Sequence, residues 1–388
     1  MRFSFFQRYR YLLLLVGILL SVLAVGRVLL SVEGTSSQTQ ISPTATTIVS
    51  VSSPTPTLIL TPSVPAIHFK RPDFEAGITF PQWSHDGYGQ TDTRWQQGLH
   101  DIQTQTGARW IEIPMLFSQD TPTSTHITNG PSTPTDESVV AGIRAAHALG
   151  YHVFVVPLLA VNEPGEWAGT IHFSTYQQEE QWFDSFWQTF EPYAEAAEGT
   201  GVEQLAIGTE EVWLQENAPA SLWNTLIARV RSVFSGTIMY DMNWTTLEDP
   251  LPSWMSNQNL ATIGVSTYIP LIDVQARLDR PAIFSLWRDI AKRQLDNLAI
   301  HLGKPIVISE IGFRNSADSL YHPWYPDSTT PPDPAEQAAA CDAALANVIP
   351  DPHIAGIFFW GWDDVRGFKL SGQPAATVLH KWYTSPQA

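Results

Sequence analysis

Gln204-Leu205-Ala206-Ile207-Gly208-Thr209-Glu210 is a short apolar run that ends on a carboxylate, and Pro305-Ile306-Val307-Ile308-Ser309-Glu310-Ile311-Gly312-Phe313 repeats the pattern 100 residues later. Alternation within the first run puts Ala206, Gly208 and Glu210 on one face and Leu205, Ile207 and Thr209 on the other. Small residues on one face suit a crowded barrel lumen, with Glu210 turned inward at its rim. Six more apolar runs have the length and flanks of buried strands: Ala76–Phe80, Trp110–Leu116, His152–Leu159, Thr237–Tyr240, Thr262–Tyr268 and Ala355–Trp360. Helical patterns lie between them at Asp92–Gly107, Asp136–Gly150, Glu179–Gly199, Ala220–Phe234, Ser285–Leu302 and Ala335–Val348, several closed by a glycine stop (Gly107, Gly150, Gly199, Gly303). Eight such strands with intervening helices predict a (β/α)8 TIM barrel, with Glu210 ending strand 4 and Glu310 ending strand 7. No Gly-x-Gly-x-x-Gly follows the first strand, which weighs against a dinucleotide-binding sheet.

The barrel does not begin at residue 1. Arg2, Arg8 and Arg10 precede an apolar run from Tyr11 to Val25, so residues 1–32 read as a signal peptide or a signal anchor. Ala24-Val25-Gly26 would serve as a cleavage site, while Val28-Leu29-Leu30-Ser31-Val32 would lengthen an uncleaved span, with Arg27 snorkelling to the interface. Residues 33–69 read as a disordered linker: from Gly34 to Phe69 there is no charged residue, and Ser, Thr and Pro dominate. Both readings place the remaining domain, 70–388, outside the cytoplasm, secreted or anchored to the membrane through its N-terminal segment.

The formal charge is −17 overall, and without the four N-terminal arginines and Glu33 the rest carries −20. Such a surface repels phosphate backbones, so nucleic acid is not an expected partner. The lone cysteine, Cys341, excludes an intramolecular disulfide and sits in a helical run as a small apolar residue. No Cys/His spacing suggests a metal, no cofactor is expected, and a monomer is the expected state.

Two glutamates ending different barrel strands, in a chain with 15 tryptophans, suggest the carboxylate pair of a glycosidase. The motifs then resemble glycoside hydrolase clan A, and within it family 113, whose characterised members are endo-β-mannanases. The resemblance rests on Gly208-Thr209-Glu210, on Ser309-Glu310-Ile311-Gly312-Phe313 and on Phe117-Ser118-Gln119-Asp120. It rests also on Ala145-Ala146-His147-Ala148-Leu149-Gly150-Tyr151, Gly165-Glu166-Trp167-Ala168-Gly169-Thr170-Ile171 and Phe359-Trp360-Gly361-Trp362. It implies a retaining hydrolase of β-linked polysaccharide, β-mannan first, with Glu210 as acid/base and Glu310 as nucleophile. Many clan A enzymes carry Asn before the acid/base, where it meets the sugar 2-hydroxyl; Thr209 stands here, so the resemblance fixes the reaction class better than the sugar. Another β-glycan, or a catalytically silent glycan-binding barrel, are the alternatives.

Each candidate has a plainer reading. Glu211, where the chain turns helical, fits a dipole-favoured helix N-terminus better than Glu210 does. Glu310 could instead pair structurally with Arg314. Tyr268 resembles the clan tyrosine that bonds the nucleophile, and Trp360 the platform beneath the cleaved ring; otherwise Tyr268 is a β-favouring rim aromatic and Trp360 is core packing. Trp83, Trp167, Asn243 and Trp244 fall in the βα loops of the functional face, with Asp120 after strand 2, and are expected to bind substrate. Asn243-Trp244-Thr245 also reads as a glycosylation sequon. Trp182, Trp187, Trp223 and Trp287 fall in helices and read as core. His85, His152, His172 and His322 read as ordinary polar partners.

Overall fold

The computed structural model describes residues 71–89, 93–325 and 330–385. The segments 1–32 and 33–69 lie outside the described residues. Among the described residues, eight parallel strands close into a barrel: β1 (Glu75–Thr79), β2 (Trp110–Gln119), β3 (His152–Val161), β4 (Gln204–Thr209), β5 (Thr237–Asn243), β6 (Ile263–Ser266), β7 (Ile306–Ile311) and β8 (Ile354–Phe359). Each strand pairs with its sequence neighbours, and β1 closes the ring against both β2 and β8. The pairing matches the expected (β/α)8 order. A two-residue antiparallel strand, Thr128–Asn129, adds to the end of β2.

The outer layer is helical: α1 (Thr93–Thr106), α2 (Asp136–Ala148), α3 (Tyr176–Thr200), α4 (Val212–Asn217), α5 (Ala220–Val233), α6 (Arg280–Leu286), α7 (Arg293–Leu302), α8 (Pro334–Val348) and α9 (Pro374–Tyr383). Helix α2 starts on Thr135, whose side chain accepts the Ser138 N–H, with Asp136 and Glu137 in its first turn. Helix α3 buries Trp182, Phe183, Phe186, Trp187, Phe190 and Tyr193, a stripe at helical spacing. Three boundaries differ from the sequence reading. Thr175 caps α3, so it starts at Tyr176 rather than Glu179, and its left-handed stop is Gly201 at φ 75°, two residues past Gly199. Asp279 accepts the Ala282 N–H and Pro281 occupies the first turn, so α6 begins at Arg280 and runs through a π-helical segment, Trp287–Lys292, into α7. Only two short 3-10 turns, Trp244–Thr246 and Ser253–Ser256, stand between β5 and β6 in the described chain.

Two cores result. Leu205 and Ile207 belong to the large layer between strands and helices, as do the buried Trp182, Trp187, Trp223, Trp287 and Cys341. Ala206 faces the lumen with Phe154, Val156, Met239, Val307 and Phe358, as the alternation in β4 requires. The lumen admits no more volume: a Cβ on Gly77 would lie 2.2 Å from the Phe358 ring. A filled barrel leaves chemistry only at its rim, where β4, β6 and β7 end beside one another's loops.

Candidate active site

Glu210 follows the last residue of β4 in a conformation few side chains adopt. Its φ of 63° makes it the one non-glycine in the left-handed region among the described residues, which costs about 1–2 kcal/mol. Its N–H donates to the Asp241 carbonyl at 2.8 Å, anchoring the turn to β5. From the end of the same strand, Asn243 Nδ2 donates to Glu210 Oε1 at 2.7 Å. Strain in the backbone thus aims one carboxylate, and β5 holds both ends of it.

Glu211 goes elsewhere. Its carboxylate folds back to accept the Thr209 N–H at 3.1 Å, and the residue is 1 % exposed. It stands at the N-terminus of α4, as the helix-dipole reading expects, but its side chain makes no cap bond. Burial pushes its carboxyl up to about 7. A sealed group of this kind cannot reach a substrate.

Glu310 lies within β7 rather than after it, and its register partner is Ser266 on β6. Its main-chain oxygen accepts the Thr267 N–H at 2.6 Å, and its Oε1 accepts the Tyr268 hydroxyl proton at 2.5 Å. Arg314 instead donates to the Tyr325 carbonyl. Burial, and then the nearby Glu210 charge, hold the Glu310 carboxyl well above the usual range, while Tyr268 and the Arg366 charge oppose the rise. Glu210 is pushed up to about 7 by burial, against the Asn243 and Ser266 hydrogen bonds. Glu210 raises the Glu310 carboxyl, so the two carboxylates do not ionise independently.

Aromatic side chains wall this rim. Trp360, Tyr268 and Phe368 form one cluster, against which Trp83, Trp244 and Trp324 pack. The Trp83 and Trp360 rings are 6.4 Å apart and tilted by 36°; Trp244 and Trp324 are 5.5 Å apart and tilted by 33°. The structure therefore brings together six expected residues: Glu210, Glu310, Tyr268, Asn243, Trp244 and Trp360, with Trp83 beside them. Asn243 is 3 % exposed, and its side-chain oxygen accepts from the Thr245 N–H and hydroxyl. Its oxygen and one of its two N–H donors are thus committed within the protein. Two expected residues stand apart from the cluster. Trp167 is buried over Gly169, where a Cβ would lie 2.4 Å from its ring, and Asp120 is exposed one residue past β2.

Sequence reasoning missed what lies beneath. Asp241 is 1 % exposed and takes the Ser309 hydroxyl at 2.6 Å, and Glu112 is 2 % exposed and takes the Thr79 hydroxyl at 2.6 Å. The alternation Met239, Asp241, Asn243 along β5 was the signal for the first of these. Among the described residues no group of three or more His, Cys, Asp or Glu is arranged to hold a metal ion.

Known proteins share the fold. Two solved structures of family 113 β-1,4-mannanase align with this chain at 25% and 24% identity, each over 80% of this chain and 99% of the other, with TM-scores of 0.68. The family 113 β-mannanase AaManA from Alicyclobacillus acidocaldarius aligns at 23% identity over 80% of this chain and 97% of its own, with a TM-score of 0.67. No curated protein matches the sequence. The model of Glycoside Hydrolase Family 113 matches residues 78–375, from inside β1 to the start of α9. That span includes strands β2 to β8 whole, the end of β1 and both rim glutamates, and the chain belongs to this family of glycoside hydrolases.

Proposed function

We propose that the protein is a retaining hydrolase that cleaves β-linked mannan by double displacement, with Glu310 as nucleophile and Glu210 as acid/base. The observation that carries this reading is the convergence of two electrostatically coupled carboxylates at one rim, one bonded to Tyr268 and the other to Asn243. The mechanism requires the proton on Glu210; the phenol donor and the Arg366 charge at Glu310 favour the anion it needs there, against the burial and the Glu210 charge that raise it.

In the first step a Glu310 oxygen bonds to the anomeric carbon as the glycosidic C–O bond breaks. The bond's electrons pass to the leaving oxygen, which takes the Glu210 proton. In the second, Glu210 removes a proton from water, whose oxygen attacks the same carbon and releases the Glu310 carboxylate. Apolar C–H faces of a sugar would lie on Trp360, with Trp83, Trp244 and Trp324 extending the wall. The β-mannanase neighbours support mannan as the sugar. The basic and then apolar start of the chain, with the uncharged stretch behind it, supports an extracytoplasmic barrel, tethered or released.

The test is a panel of soluble β-glycans with identification of the released sugars. Release of manno-oligosaccharides is the expected result. Release only from another β-glycan would reassign the sugar and leave the mechanism. No release from any, by folded protein that still binds glycan, would favour a silent glycan-binding barrel.

A further inference from the structure

Beneath the rim pair the lumen holds a third acid in contact with the seats of both. The Asp241 carbonyl accepts the Glu210 N–H at 2.8 Å, fixing the left-handed turn. Its Oδ1 lies 2.6 Å from the hydroxyl of Ser309, the residue before Glu310. Ser266 Oγ lies 3.3 and 3.2 Å from Asp241 Oδ1 and Oδ2, and Ser266 is the register partner of Glu310. Gly264 completes the seat: a Cβ there would come within 2.7 Å of Ser309 Oγ and 2.9 Å of Met239 Sδ. One buried residue on β5 therefore touches the turn that aims Glu210 and the two serines that flank Glu310.

Its surroundings decide its charge. The titratable groups that act on it are acids: Glu112 from β2, Glu210 and Glu211 past β4, and Glu310 from β7. Its side-chain partners are two neutral hydroxyls, and the largest influences on it include no cation. A buried carboxylate with no cation to pair with takes up a proton. A charged Asp241 accepts both serine hydroxyls; protonated on Oδ2, it would still accept Ser309 on Oδ1 and would give its proton to Ser266 Oγ.

We propose that Asp241 is a positioning residue for the reaction, working uncharged to lock the Glu210 turn and the Ser266–Ser309 seat of Glu310 in register. The proposal rests on Glu210 and Glu310 being the reacting pair. Asparagine reproduces a neutral aspartic acid, with an oxygen for Ser309 and an N–H for Ser266, whereas alanine empties the seat.

The experiment compares kcat, KM and the kcat/KM–pH profile of Asp241→Asn, Asp241→Ala, Ser309→Ala, Glu210→Ala and Glu310→Ala on the glycan the enzyme turns over. Asp241→Asn is expected to keep activity within a few-fold and to leave both limbs of the profile in place. Asp241→Ala and Ser309→Ala are expected to lose kcat by about 100-fold with KM little changed, since misplacing a reacting group by an ångström has that effect. Should Asp241→Ala fail to fold, Ser309→Ala and Asp241→Asn carry the same comparison. An acidic limb moved downward in Asp241→Asn would show a working charge and overturn the proposal, as would full kcat in Ser309→Ala or in folded Asp241→Ala. If Glu210→Ala and Glu310→Ala are themselves active, the pair has been misassigned, which is a separate outcome.

Discussion

Tyr268 donates its hydroxyl proton to Glu310 Oε1 across 2.5 Å, a contact made between the loop after β6 and the strand β7 beside it. A donor aimed at a carboxylate stabilises the charged form and lowers its pKa. Here it works against burial and the Glu210 charge, which both raise Glu310. In the proposed mechanism Glu310 must be ionised to attack, so this one phenol supports the nucleophile against its surroundings.

Replacing Tyr268 by Phe removes that support. The Glu310 pKa then rises further, and the acidic limb of kcat/KM moves to higher pH. A loss of kcat of about 10- to 100-fold is expected, on the scale of removing one aimed donor. The pH–rate profile checks it; an unmoved limb with normal kcat would leave Tyr268 as packing.

The two glutamates should fail differently. Glu310→Ala is expected to abolish turnover. Glu210→Ala should lose most activity on natural glycan yet retain aryl glycosides with good leaving groups, which need no proton. Added azide should speed that variant by attacking the glycosyl-enzyme without base help. If Glu211→Ala shows this pattern in place of Glu210→Ala, the acid/base is Glu211.

Glu211 instead bears on stability. Its folded pKa, about 7, lies above the ordinary carboxylate value because of burial. The folded state therefore binds more protons than the unfolded one, and the penalty appears as pH rises from about 4.5 past 7. Glu211→Gln is neutral and keeps an oxygen for the Thr209 N–H. Its melting temperature should exceed the wild type's at pH 8 and match it near pH 4, by an amount corresponding to about 1–3 kcal/mol at the higher pH. Thermal scans at both values decide it, and a variant less stable at pH 8 would contradict it.

Trp360 and Trp254 are both poorly exposed, at 7 % and 1 %, but sit in different places. Trp360 faces the rim cluster, so part of its interaction should arise only with the distorted sugar. Trp360→Ala should lower kcat and raise KM while the melting temperature moves little. Trp254 stacks on Trp223 at 4.3 Å in the core, and its truncation should cost about 3–5 kcal/mol. Paired kinetics and melting curves separate the two, and a Trp360→Ala variant that melts early with normal kinetics would make it a core residue.

Much of this was legible in the residues. Alternation in β4 placed Ala206 in the lumen, and the apolar runs gave all eight strands in order. Local capping was harder to read: the Asp279-Arg280-Pro281 start of α6 looked like loop, and Gly199 and Gly201 compete as stops until the backbone shows which is left-handed. Helix α9 lies outside the six helical patterns read from the sequence, although Pro374 in its first turn and the alanines after it favour a helix. The Asn243–Glu210 and Tyr268–Glu310 contacts join residues 33 and 42 apart in sequence. Spacing cannot supply such contacts; strand order does. Asp241 and Glu112 were missed for the same reason, since each reads as one acid in an apolar strand until the barrel closes around it.

The stereochemistry of hydrolysis tests the Glu210–Glu310 assignment most directly. Two displacements at one carbon preserve its configuration, which is the outcome expected of carboxyl groups about 5–5.5 Å apart. Proton NMR of the earliest product, before mutarotation, should show the β-anomer. The α-anomer appearing first would mean a single displacement by water, and Glu310 would then not be the nucleophile.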